Sequence, residues 1–78
     1  MREKFDKYLY KNKANKKGLF YIKMNDLYVG LTNTGNISLS DSLQENSVAF
    51  EDDISAYNFL ESKLKGSIDV SLLKVVTD

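Results

Sequence analysis

The stretch from Leu19 to Ser40 keeps a period of two across two turn signals. Phe20, Ile22 and Met24 fall on one side of an extended chain, and Leu19, Tyr21 and Lys23 on the other. Asn25-Asp26 then separates them from Leu27, Val29 and Leu31. A two-residue loop at that point sets Met24 opposite Leu27, Ile22 opposite Val29 and Phe20 opposite Leu31, so all six apolar side chains share one face. A slip of one residue would turn half of them to water. Asn33-Thr34-Gly35 offers a three-residue loop with a glycine for the left-handed position, pairing Leu31 with Ile37 and Val29 with Leu39. This pattern predicts an antiparallel three-stranded meander with one apolar side. Tyr21, Lys23, Tyr28, Gly30 and Ser38 belong to the other side.

An apolar sheet face needs a cover. After the polar loop at 40–47 and the short apolar piece Val48-Ala49-Phe50, read as an edge strand, the chain supplies a segment of helical period. Over Ile54 to Leu64, Ala56, Tyr57, Leu60 and Leu64 recur at helical spacing, with Phe59 broadening the stripe and Gly66 placed to end it. Asp52 or Asp53 is the expected N-cap, and Glu51, Asp52 and Asp53 all favour the positive end of the helix dipole. Residues 67–76 read as a strand by composition. Ile68, Val70 and Leu72 lie in one phase and Leu73 and Val75 in the other, which predicts a bulge or a strand buried on both sides. Near the start, Phe5, Tyr8 and Leu9 have the spacing of a short helix. The expected architecture is α+β: an antiparallel meander of three to five strands with one packed helix, in the order α-β-β-β-(β)-α-β. Residues 1–18 form a basic arm or short helix, and 19–78 a single domain.

The 78 residues contain neither cysteine nor histidine, which removes the thiolate, the imidazole base and the preferred zinc ligands together. The serines stand outside any Gly-x-Ser-x-Gly or Ser-x-x-Lys pattern, and the four glycines are scattered singly rather than gathered in a phosphate-binding loop. Asp52 and Asp53, adjacent on a helix, point in different directions and make a poor acid/base pair. No EF-hand spacing surrounds them. The chain therefore reads as non-enzymatic, with no cofactor and no metal. No apolar run approaches the length of a membrane span, and no signal-like segment opens the chain, so a cytoplasmic protein without membrane association is expected.

A formal net charge of zero conceals a division. Residues 1–17 carry seven basic side chains against two acidic ones, and the remainder carries four lysines against nine acids. Two binding surfaces follow. Asp41, Glu45, Glu51, Asp52, Asp53 and Glu61 gather around the loop and the helix start, and such a patch can engage a basic groove that normally holds nucleic acid. Alternatively, Arg2, Lys4, Lys7, Lys11, Lys13, Lys16 and Lys17, interleaved with Tyr8 and Tyr10, can meet phosphates while an aromatic stacks on a base. An exposed strand edge that pairs with a second copy is a third route.

The segments "FYIKMNDLYVGLTNTGNISLSD" (20–41) and "AFEDDISAYNFLESKL" (49–64) resemble small accessory proteins of phages and mobile elements of low-GC Gram-positive bacteria. The resemblance covers about residues 19–76, leaves out the basic arm and carries no functional residue with it. It implies a protein that acts by binding, such as a stoichiometric, anti-CRISPR-like inhibitor of a host defence protein or nuclease in the bacterial cytoplasm. A nucleic-acid-binding accessory protein using the arm is the alternative expectation.

Overall fold

The computed structural model describes residues 8–13 and 17–77. Its order is a 3-10 turn (Tyr10–Asn12), β1 (Phe20–Met24), β2 (Leu27–Leu31), β3 (Ile37–Ser40), β4 (Ala49–Phe50), α1 (Asp53–Phe59) running on into a π-helical turn (Leu60–Leu64), a second 3-10 turn (Val70–Leu72), and β5 (Leu73–Thr77). The five strands make one antiparallel sheet with α1 against it, so the chain is a small α+β domain.

Next to its two turns the meander has the register that the spacers predict, but the expected pairs Ile22–Val29 and Phe20–Leu31 do not form, because the segment 46–50 enters between β1 and β2 and takes their hydrogen bonds. Met24 pairs with Leu27, Leu31 with Ile37 and Val29 with Leu39. Asn25 takes φ of 57°, a left-handed conformation that asparagine tolerates, and Gly35 takes φ of 86° in the second turn.

β1 is the hub. β5 pairs with it along its whole length, from Phe20↔Thr77 to Met24↔Leu73. On its other edge β2 pairs only at Lys23↔Tyr28 and Met24↔Leu27, after which the segment 46–50 takes over. That segment bonds β2 through Val48 N–H to the Val29 carbonyl (3.0 Å) and through the Asn46 carbonyl, which accepts from Leu31 N–H (2.9 Å), then pairs with β1 at Phe20↔Phe50. Its opposite edge accepts from Tyr10 N–H at the Ser47 carbonyl and donates from Ala49 N–H to the Tyr8 carbonyl, both at 2.7 Å. Val48-Ala49-Phe50 is thus an interior strip bonded on both edges rather than an edge strand. Gly30 is required beside it, because a Cβ there would lie 2.6 Å from the Asn46 carbonyl oxygen.

The main core lies between the sheet and α1, where Ile22, Val29, Leu31, Val48 and Phe50 meet Ala56, Phe59, Leu60 and Leu64. Tyr8, Phe50 and Phe59 form an aromatic trio with centroids 4.8 to 6.0 Å apart. Leu9 is buried in the same core and extended, bridged to Val48, so the described part of the predicted N-terminal helix is a docked extended segment followed by one 3-10 turn. Phe5, the other member of that stripe, lies outside the described residues. The sheet's second face is not merely polar: Leu19, Tyr21 and Ala49 make a smaller cluster there, with Tyr10, Tyr28, Leu43 and Val76 against it.

The C-terminal phase change has a simple basis. Residues 70–72 are a 3-10 turn capped by Asp69, and the strand begins only at Leu73. Leu73 and Val75 then face the main core and Val76 the second cluster. At the end of the helix, Lys65 N–H donates to the Leu60 carbonyl, five residues back, and Gly66 has no left-handed φ. The Ser62 hydroxyl takes the Asn58 carbonyl at 2.7 Å, competing with the helical ladder where it widens.

Two stability outcomes follow. Gly30→Ala should destabilise by about 1–3 kcal/mol in urea titrations, since the Asn46 backbone must move to admit the methyl group. Leu9→Ala should cost about 2–5 kcal/mol. A loss below about 0.5 kcal/mol, the range of surface substitutions, would show that the segment around Leu9 does not belong to the core.

Candidate partner-binding surface

The six carboxylates expected to form a contact face are all exposed. Glu51 follows β4 directly. Asp52 is the N-cap of α1, its Oδ1 accepting from Ser55 N–H at 2.7 Å, and Asp53 opens the first turn. Glu61 lies on the π-helical turn, 3.7 Å from Lys65, in an exposed pair of little energetic weight. Asp41 and Glu45 belong to the loop after β3, where the Glu45 backbone carbonyl accepts from Lys11 N–H.

The hydrogen bond from the Ser55 backbone, helped by the Ser55 side chain, holds the Asp52 carboxyl below its ordinary value of 3.8. Asp69 is lowered in the same way by the backbone and hydroxyl of Ser71, at 3.0 and 2.9 Å. Both groups perform capping, a structural task. Among the described residues no group of three carboxylates could hold a metal ion.

Of the basic candidates, Lys11 and Lys17 are exposed, and Lys13, Tyr8 and Tyr10 half-buried. Arg2, Lys4, Lys7 and Lys16 lie outside the described residues. Tyr8 stacks obliquely on Phe59 at 4.8 Å and so serves the core on that side, and Tyr10 meets Tyr21 edge-on at 6.1 Å. Lys13 lines a shallow pocket of about 360 Å³ with Tyr8, Phe50, Glu51, Asp52 and Ser55. The fold therefore brings part of the basic arm against the acidic trio instead of holding the two apart.

One site feature was missed by periodicity. Tyr57, assigned to the buried stripe, is 52% exposed, and Ile54, one turn before it, is 69% exposed. Phe59 and Tyr57 flank the stripe on opposite sides, and only one of them can face the sheet. The ring without a hydroxyl takes the core, since burying the tyrosine would oblige its O–H to find a partner. The outer face of α1 therefore carries two large apolar side chains among Asp53, Glu51 and Glu61. A separate groove of about 420 Å³, lined by Met24, Leu31, Leu39, Phe59 and Leu64, runs between the helix end and the β2–β3 hairpin.

Compared with known protein families, curated proteins and solved structures, the chain matches none.

The cap has a measurable pH signature. A carboxyl lowered in the folded state adds stability above its unfolded value and loses it as pH falls through the folded value. Asp52→Ala should lower the melting temperature at pH 7, and the gap from the parent protein should narrow as the pH is taken below the ordinary carboxylate range in circular-dichroism melts. A gap independent of pH would show that the carboxylate charge contributes nothing to the cap.

Proposed function

We propose that this chain is a non-catalytic protein-binding module whose contact face is the outer side of α1 with the acidic residues around it. The observation that carries the reading is the exposure of Ile54 and Tyr57, one turn apart and rimmed by carboxylates. Apolar and aromatic anchors inside a charged rim are how protein interfaces concentrate their binding energy. A rim of carboxylates selects a partner with a basic surround, the property of enzymes that grip nucleic acid. The resemblance to small phage accessory proteins supports the narrower form of this reading, a stoichiometric inhibitor of a host defence protein or nuclease acting in the bacterial cytoplasm. The absence of histidine and cysteine supports binding over bond-making.

Affinity capture from the lysate of a low-GC Gram-positive host, followed by titration of the purified partner, tests it. Tyr57→Ala should weaken binding about 30-fold, the effect of losing an interface hot spot. Glu51→Lys with Asp53→Lys should slow association most at low salt, while sparing the Asp52 cap. Unchanged affinity in both variants, with native circular dichroism, would remove this face from the function.

A further inference from the structure

The face of the sheet turned away from α1 carries a charge arrangement that the helix surface does not explain. Lys23 on β1 and Lys74 on β5 are direct Cα partners, and Tyr28 on β2 is the partner of Lys23 on its other side. Ser40 on β3 pairs with Tyr28 and completes a row across four strands, Ser40-Tyr28-Lys23-Lys74. At the spacing of neighbouring strands the row spans about 14 Å. The Lys23 ammonium stands 4.7 Å from the Tyr28 ring centroid, and that ring stands edge-on to Tyr21 at 6.0 Å.

Like charges directly opposed on one face of a sheet repel. Among the described residues neither Lys23 nor Lys74 has an ion-pair partner, although Asp26 lies three positions from Lys23. The row is also open. Leu43 and Tyr10 pack at the Leu19–Tyr21 end of this face, whereas Lys74 is exposed and Lys23 and Tyr28 are only partly covered. The carboxylates of α1 belong to the opposite layer, a sheet-and-helix thickness of about 10 Å away, comparable to the Debye length at physiological salt. Their repulsion of an anion at this row is largely screened.

We infer that the row Tyr28-Lys23-Lys74 is a binding site for a single-stranded nucleic acid, the two ammonium groups meeting its phosphates and the Tyr28 ring meeting a base. Two unneutralised cations beside an aromatic ring on an open sheet match a strand that offers anions and π-faces together. A duplex, whose bases are stacked inside, uses only the cations. The site shares no residue with the acidic helix face or with the basic residues of the arm.

Fluorescence anisotropy of labelled oligo(dT) and oligo(U) against the full chain, over a salt series, tests the inference. Lys23→Gln with Lys74→Gln should weaken binding at least tenfold and reduce the slope of log affinity against log salt by about 1.4, two phosphate contacts on a single strand. Tyr28→Leu retains an apolar side chain but removes the ring, and should weaken binding about tenfold without changing the salt slope. Lys11→Gln with Lys17→Gln should leave most of the affinity in place. The inference is overturned if neither oligonucleotide binds at low salt, if the double lysine variant binds as the parent does, or if the arm variant alone removes binding. Loss of fold in any variant shows in circular dichroism. Lys23→Arg with Lys74→Arg then decides, since it keeps the charges and should keep the affinity.

Discussion

The segment 46–50 is the constraint on which the rest of the structure depends. β1 and β2 pair over only two residue pairs before the strip enters, and from there each strand bonds to the strip instead of to the other. On its far edge the strip holds Tyr8 and Tyr10, which fixes the N-terminal segment and delivers Leu9 to the core. Ser47, 2% exposed, is the one buried polar residue among those described. Its hydroxyl accepts from Gln44 N–H and its carbonyl from Tyr10 N–H. Asn46 adds a side-chain clamp, donating to the Leu31 carbonyl and the Ser38 hydroxyl. A buried strip with its polar groups paired on both sides can be rigid without any disulfide or metal.

That strip also decides how the two layers are used. Phe50 leads directly into Glu51, Asp52 and α1, so the position of β4 sets where the helix starts and which way its outer face points. The main core occupies the near side of the sheet. The far side, filled at one end by Tyr10, Tyr21 and Leu43, leaves its other end to Tyr28 and the opposed lysines. Lys13 reaches the acidic helix start on the near side, while Lys23 and Lys74 stand opposed on the far side, details that the net charge of zero cancels from view.

Some of this was legible along the chain. Local rules govern short-range pairing: the two turn spacers and the period of two determine the register of β1, β2 and β3, because any other register would expose apolar side chains. The Asp52 cap is equally local, a carboxylate three residues before the N–H that it accepts. Helix phase was half legible. Tyr57 and Phe59 both border the stripe, and the choice rests on the phenolic hydroxyl together with the room beside Phe50 and Tyr8, the second of which is not a property of the helix alone.

The sequence by itself determined the meander, its register, the capped helix and the charge division, since each depends on residues a few positions apart. Only the tertiary structure decided that Val48-Ala49-Phe50 is interior, that Leu9 belongs to the core, that Tyr57 faces outward and that Lys23 confronts Lys74. Those outcomes join residues up to fifty-one positions apart, as Lys23 and Lys74 are. Partners so distant are selected by which edges and faces remain unsatisfied after the local pieces have formed, and no periodicity along the chain records that selection.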